Sequence, residues 1–296
     1  MLLKIIIVIA CAILAYIIWQ WQELKKFART DYEIKSGKVQ REYKAAVLAD
    51  LHGFQYGKDN ARLLDTIRSG QPDLILIPGD MVVSRKSDTY ETALKILEEL
   101  CRIAPVYYSY GNHESRAHIR KSEYQEKFFA FENKVKELGI HVLHNETEAF
   151  GELAVTGLEI PLSCYKKGVD MPLPQDYLEK TLPEQTEDTF QVLLAHNPRY
   201  AKEYADWGAD LTFCGHNHGG LIRIPGVGSL ISPQFQWFPK YDAGAFDFEG
   251  KKGLKLKLNS AVNDEVEITF NIKETMSVPE AVLNLDYSEL EADKVK

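Results

Sequence analysis

Cysteine is scarce in this chain: four in 296 residues, at Cys11, Cys101, Cys164 and Cys214, with no CxxC pair. That excludes a disulfide-stapled scaffold and removes any need for an oxidising compartment. A basic excess is also missing. Lysine plus arginine total 35 against 43 aspartate plus glutamate, for a net charge of −8 and a pI of about 5.6. A surface built to grip nucleic-acid phosphates needs the opposite sign, so no nucleic-acid partner is expected. The chain has no internal repeat, no low-complexity tract and no twin-arginine pair. Hydrophobic content of 45% and charged content of 26% are those of an ordinary globular protein. Its length fits one large domain or two small ones.

Long apolar runs are absent but for one. Leu2 to Trp21 reads LLKIIIVIACAILAYIIWQW and carries no charge from Ile5 to Trp19. About 20 residues at a 1.5 Å rise match a ~30 Å hydrocarbon core, and Trp19 and Trp21 sit where an interfacial belt would lie. No small-x-small cleavage site precedes polar sequence, so residues 1–21 read as an uncleaved single-pass transmembrane helix rather than a signal peptide. Lys25, Lys26 and Arg29 outnumber Lys4 across that run. The positive-inside rule then places the rest of the chain in the cytoplasm, the extracytoplasmic side being the alternative. Residues 22–44 read as a stalk or a first edge strand.

Beyond residue 44 the chain alternates short apolar runs with amphipathic stretches. Ala45 to Ala49 reads as a buried strand ending in Asp50-Leu51-His52-Gly53. Asp59 to Ser69 has helical spacing and is stopped by Gly70 and Pro72. Leu74 to Ile77 is a second strand, closed by Pro78-Gly79-Asp80. Strand, helix and strand in so short a span make a βαβ unit, so Asp80 lands at the same sheet edge as Asp50 and His52. Thr89 to Ile103 is a second amphipathic helix. Pro105 to Tyr110 is a third strand and ends in Gly111-Asn112-His113-Glu114. Tyr124 to Leu138 reads as a helix; Ile140 to Leu143 and Leu153 to Leu158 read as strands. Residues 171–186 are a loop with a short helix. Gln191 to Ala195 is a strand ending in His196, and Arg199 to Trp207 a short helix. Leu211 to Phe213 is a strand that runs into Gly215-His216-Asn217-His218-Gly219-Gly220. Late strands lie at Leu221 to Ile224, Gly228 to Ile231, Ala245 to Phe248, Leu254 to Leu258 and Val266 to Ile272. The last residues, 276–296, read as an acidic tail.

Of eight histidines, His52, His113, His196, His216 and His218 all fall at strand ends. His118, His141 and His144 do not, and read as surface or core residues. Any one of these endings alone is as readily a turn. Several in order, at one sheet edge, point to a metal centre. Carboxylate, imidazole and amide oxygen form a mixed N/O set suited to Mn, Fe or Zn, and Cys214 reads as a small buried residue rather than a thiolate ligand. Asp80, on the middle strand, is the natural bridge between two ions. Such a pair clamps a phosphoryl group and lowers the pKa of a shared water, giving hydroxide near neutral pH. His113 is placed to donate a proton to the leaving oxygen or to bind a phosphoryl oxygen.

From about Ala45 to His218 the ordered motifs D-x-H, G-D, G-N-H-E, a lone His and G-H-x-H resemble the calcineurin-like metallophosphoesterases. The resemblance implies an α/β fold, a four-layer αββα sandwich of two mixed β-sheets with flanking helices, over about residues 45–275. It implies one ion held by Asp50, His52, Asp80 and His218 and another held by Asp80, Asn112, His196 and His216, with His113 as the catalytic histidine. Manganese is the favoured cofactor. Within the family the chain is most similar to the bacterial membrane-anchored branch, through the N-terminal run, the G-H-N-H-G-G loop and the aromatic stretch Phe235 to Tyr241. Some of that branch are pyrophosphatases acting on UDP-2,3-diacylglucosamine. A phosphorylated small molecule or a lipid-linked substrate is therefore expected, with Trp237 and Phe238 either lining its entry or packing under their loop. Val83 stands where relatives often carry Asp, and Gly253 to Ser260 where they tend to carry Ser-Arg-Gly-Leu-Gly. The competing reading is a catalytically silent, membrane-tethered metal-binding scaffold of the same fold. Such a scaffold would normally lack a ligand or the histidine after Asn112, and this chain lacks neither.

Overall fold

A computed structural model describes the chain except residues 24–26, 120–122, 187, 225–226, 250–254, 261–266 and 275–296. The expected acidic tail lies outside the described residues. In chain order the elements are α1 (Leu2–Glu23), β1 (Arg29–Ser36), β2 (Tyr43–Val47), α2 (Ala61–Gly70), β3 (Leu74–Ile77), α3 (Asp88–Cys101) and β4 (Val106–Ser109). Then come α4 (Asn112–Ile119), α5 (Glu123–Glu137), β5 (His141–Leu143), β6 (Thr147–Phe150), β7 (Leu153–Leu158), α6 (Tyr177–Thr181), β8 (Phe190–Ala195) and α7 (Ala201–Trp207). The remainder is β9 (Leu211–Cys214), β10 (Ile222–Ile224), β11 (Gly228–Ile231), β12 (Gly244–Glu249), β13 (Lys255–Ser260) and β14 (Glu267–Glu274).

Among the described residues these strands form two six-stranded sheets, ordered β1-β14-β2-β3-β4-β5 and β12-β13-β9-β8-β7-β6, and a separate β10-β11 pair. In the first sheet β2, β3, β4 and β5 run parallel. In the second β7, β8, β9 and β13 run parallel. β14 pairs antiparallel with β2 and parallel with β1, the outermost strand. Parallel runs put the carboxyl ends of β2, β3 and β4 at one rim, and those of β8 and β9 at another, which is what gathers the motif loops.

Strand composition explains the packing. A parallel strand buried on both faces reads as a continuous apolar run, and its side chains alternate between two cores. Val47, Leu74, Leu76 and Tyr107 of the first sheet share a cluster with Val155, Val192, Leu194, Leu211 and Phe213 of the second. The intervening residues Ala46, Ile75, Ile77, Val106 and Tyr108 join Leu63 and Ile67 of α2, Ile96 and Leu97 of α3, and Phe128 and Phe131 of α5. On the second sheet Leu193, Ala195 and Cys214 pack with Leu178 of α6 and with Tyr204, Ala205 and Trp207 of α7. Two sheets with flanking helices are therefore present as expected.

Two elements escaped the sequence reading. β6 is four residues of edge strand with alternating exposure, too short and too acidic to show a period. α4 starts at Asn112, inside what reads as a ligand loop. The N-terminal expectation needs a larger correction. α1 is a helix, but among the described residues no helix is long and apolar enough to cross a membrane. The single-pass anchor, and the cytoplasmic placement that rested on it, are overturned.

Candidate metal centre

Five segments meet where the two rims face each other. Asp50 and His52 follow β2, Asp80 follows β3, Asn112 and His113 open α4, His196 follows β8, and His216 and His218 follow β9. Asp50, His52, Asp80, His216 and His218 all have positive φ, at 56°, 49°, 55°, 70° and 51°. Left-handed backbone is uncommon for non-glycine residues and costs on the order of 1–2 kcal/mol each. Strain repeated at the same kind of loop marks a site that the surrounding contacts hold in place.

Those contacts can be named. Asp50 N–H donates to the Gly79 carbonyl and His52 N–H to the Asp80 carbonyl, extending the ladder beyond the strand ends. His216 N–H donates to Asp50 Oδ2 at 2.8 Å and so ties the second sheet to the first. His113 N–H donates to Asp80 Oδ1 at 2.8 Å. Each aspartate thus spends one oxygen on a backbone N–H and aims the other at histidines. Two glycines allow the approach. A Cβ on Gly111 would stand 2.2 Å from Asp80 Oδ1, and one on Gly215 would stand 2.5 Å from Asp50 Oδ2.

The ring and carboxylate ends converge. His52 Nε2 is 3.2 Å from His218 Nε2, 3.9 Å from Asp50 Oδ1 and 3.8 Å from Asp80 Oδ2. His218 Nε2 is 3.5 Å from Asp50 Oδ1. His196 Nε2 is 3.1 Å from Asp80 Oδ2 and 3.7 Å from Asp50 Oδ1. Among the described residues, metal-competent donor atoms fall into three groups, each within 4.8 Å: Asp50-His52-His218, His52-Asp80-His113 and Asp80-His196-His216. Asp80 belongs to two of them. His118, His141 and His144 belong to none of these groups.

Hydrogen-bond partners set the ring tautomers. His196 Nδ1 lies 2.8 Å from the Pro78 carbonyl, which can only accept, so in the neutral ring Nδ1 carries the proton and Nε2 is the atom left to ligate. At His113 the order is reversed. Ser84 N–H donates to His113 Nδ1 at 3.0 Å, so in the neutral ring Nε2 bears the proton and is a donor. Burial, against the pull of Asp80, brings His113 down to about 4, which keeps it neutral at physiological pH. Burial followed by the charge of His196 brings His216 down to about 3. Burial also opposes charge on His196, yet Asp80 and then Asp50 push it up to about 10, so with no cation beside it Nε2 takes a second proton, which a bound metal would displace. Burial would raise Asp80, but His196, then His52 and His113, hold its carboxyl well below the usual range.

The profile of the family described as Calcineurin-like phosphoesterase matches residues 43–220. The chain belongs to that family. The expectation of a metal-dependent phosphohydrolase is met at that level. The chain is 30% identical to Phosphodiesterase YaeI of Escherichia coli over 200 residues, covering 64% of this chain and 66% of YaeI, just under two thirds of that relative. It is 24% identical over 260 residues to the uncharacterised metallophosphoesterase YkuE of Bacillus subtilis, covering 83% of this chain and 85% of YkuE. Among solved structures, TT1561 of Thermus thermophilus superposes at a TM-score of 0.46 with 12% identity, over 75% of this chain and 90% of that one.

The residues of this family member fit a pair of cations. Asp50 Oδ1, Asn112 Oδ1, His196 Nε2 and His216 Nε2 are buried and have no hydrogen-bond partner. A buried polar atom left unpaired costs about 1–3 kcal/mol. Four such ligand-type atoms gathered in one place are the pattern a cation relieves. No cysteine joins them: Cys214 is buried and its thiol is pushed well up by that burial, as expected of an inert core residue.

Two supporting residues had no assigned role in the sequence reading. Glu114 is fully buried, and its carboxylate accepts from the N–H groups of Asp80, Gly111 and Val82 and from the Tyr108 hydroxyl. It locks the β3 loop to the start of α4. Burial and the Asp80 charge push it up to about 8, against those donors. The acid after G-N-H was visible; its burial was not. Tyr165, in a 3-10 turn, packs edge-on to His216 at 4.9 Å and left no signal in the sequence. Trp237 and Phe238 are 65% and 63% exposed, so they do not pack under their loop.

Proposed function

We propose that this protein hydrolyses phosphoesters with two divalent cations bound between the sheets. Asp50, His52, Asp80 and His218 would hold one, and Asp80, Asn112, His196 and His216 the other. When bound, the ions supply charge neutralisation at the phosphoryl oxygens and acidify water. The observation that carries the reading is the opposed protonation of His196 and His113. A histidine whose Nδ1–H is fixed to a carbonyl presents a lone pair and suits ligation. One whose Nδ1 accepts a backbone N–H presents Nε2–H, and that cannot ligate. His113 therefore faces the substrate and donates a hydrogen bond where negative charge grows as the P–O bond breaks. Its neutrality favours hydrogen-bond donation over full proton transfer.

The three apolar clusters support a four-layer arrangement, helices on sheet on sheet on helices, with the centre at the rim between the inner layers. A phosphodiester is the first substrate to try, since YaeI bears that activity in its name. Manganese is the first metal, on the N/O donor set. The test compares His113→Asn with His196→Asn in the manganese-loaded protein, with bis(4-nitrophenyl) phosphate as substrate and metal counted by mass spectrometry. His113→Asn keeps two ions and loses turnover; His196→Asn loses an ion. A wild-type protein that holds two ions and turns over no phosphoester would mark a scaffold instead.

A further inference from the structure

The loop after β11, residues 232–238, inverts the usual partition of side chains. Gln234 is 6% exposed, whereas Phe235, Trp237 and Phe238 are 48%, 65% and 63% exposed. Phe235 and Phe238 also hold positive φ, at 64° and 48°, an outlier for a bulky side chain. Apolar burial therefore does not set the path of this loop. An amide drawn inward past three aromatic rings is costly unless it is hydrogen-bonded. Both ends of this one are. Gln234 Oε1 accepts from Asn197 Nδ2–H at 2.9 Å, and Gln234 Nε2–H donates to the Cys164 carbonyl at 2.9 Å. The Gln234 carbonyl accepts from Gly168 N–H at 2.8 Å. The bonds run in one polarity. The Cys164 carbonyl only accepts, so Nε2 faces it and Oε1 faces Asn197. The Arg199 N–H only donates, so Asn197 Oδ1 takes it and Nδ2 is left for Gln234.

Both far ends of this bridge adjoin the centre. Asn197 is the residue after His196 and is buried. Cys164 precedes Tyr165, whose ring lies 4.9 Å from His216, edge-on, and 6.1 Å from His196. These two imidazoles are the ones assigned above to the same ion. Pro78 orients the His196 ring from the first sheet; the bridge holds the backbone behind it from the second. We propose that Gln234 is a positioning residue of the metal centre: its amide, bonded to Asn197 and to Cys164, sets where the His196 and His216 imidazoles sit. This rests on the two-cation reading above. Ligand placement tolerates only about 0.5 Å of play, so a bridge one residue behind a ligand controls affinity without touching the ion.

The test titrates manganese into the metal-free full-length protein by calorimetry and counts bound ions by mass spectrometry. Gln234→Met keeps the side-chain volume and removes both of its bonds. One of the two manganese affinities should fall about 10- to 100-fold, and the other should change less than about threefold. Gln236→Met, at an exposed position of the same loop, should change neither. Asn197→Ser breaks the bridge from its other end and keeps an oxygen for the Arg199 N–H. It should lower the same affinity, and it decides the matter if Gln234→Met does not fold. Added to Gln234→Met, Asn197→Ser should cost less than about a further threefold, because the bridge is already gone. Unchanged affinities, both affinities falling together, or losses that multiply in the double variant each overturn the proposal. A wild type that binds fewer than two ions overturns it as well, together with the two-cation reading. Two ions and the expected losses, with no phosphoester turnover, would reject the hydrolase reading and leave Gln234 in its positioning role.

Discussion

At His196 the ring proton is committed to the Pro78 carbonyl, and at His113 the committed atom is the lone pair that receives the Ser84 N–H. The two side chains are identical and their uses differ. Replacing His113 by Asn should leave metal stoichiometry at two and lower kcat by about 10²–10³, the usual loss for one well-placed donor. Loss of an ion in that variant would move His113 into the ligand set. The glycines permit a second test. Gly111→Ala drives a methyl into Asp80 Oδ1, and Gly111 is the tight approach between the β3 and β4 loops. Metal affinity should drop 10- to 100-fold, as when an outer partner of a ligand is lost; isothermal titration with Mn reads it. The proposed ligand residues themselves stand out in the sequence because each ends an apolar run. Glu114 does not, because its role depends on being sealed from water by packing that involves residues far along the chain.

Elements were legible where their period was. α2, α3 and α5 carry apolar stripes at helical spacing, and β3, β8 and β9 are short apolar runs bounded by turns. α4 was hidden because its polar residues serve the centre on one side, and β6 because an edge strand needs no buried face. Packing between elements offers its own pH test. His144, after β5, is bonded to Glu159 after β7 and to Glu132 of α5. Burial lowers the His144 pKa, but Glu159 and Glu132 outweigh it and the net shift is upward. A raised histidine stabilises the fold fully below the ordinary pKa of about 6.5 and ceases to do so as pH rises through the raised value. His144→Asn should therefore cost on the order of 1 kcal/mol at pH 6 and progressively less toward pH 9, in urea unfolding at both pH values. A constant difference would mean that packing, not charge, does the holding. Leu194→Ala, in the cluster shared by both sheets, should cost about 2–5 kcal/mol at any pH.

For the molecule as a whole, the centre joins the two sheets. His216 N–H to Asp50 and His196 Nδ1–H to Pro78 cross from one sheet to the other beside the buried ligand-type atoms. Bound cations should then stabilise the whole fold. Manganese at 100 times its Kd should add about 2.7 kcal/mol, seen as a higher Tm that EDTA reverses. A Tm indifferent to metal would mean that the five segments do not meet around ions. The sequence by itself determined the βαβ order, the candidate ligand types and the rim they share, because strand period, turn residues and parallel pairing are local or follow from chain order. It also showed an apolar N-terminal helix, but its reading of that helix as membrane-crossing is overturned. Only the tertiary structure decided which nitrogen of His196 and of His113 is committed to a hydrogen bond and which acid locks the loops. Only it showed that the buried amide of Gln234 ties the loop after β11 to Asn197, next to His196. Those facts depend on contacts between residues as far as 118 positions apart, and such contacts are set by how two sheets pack rather than by any pattern along the chain.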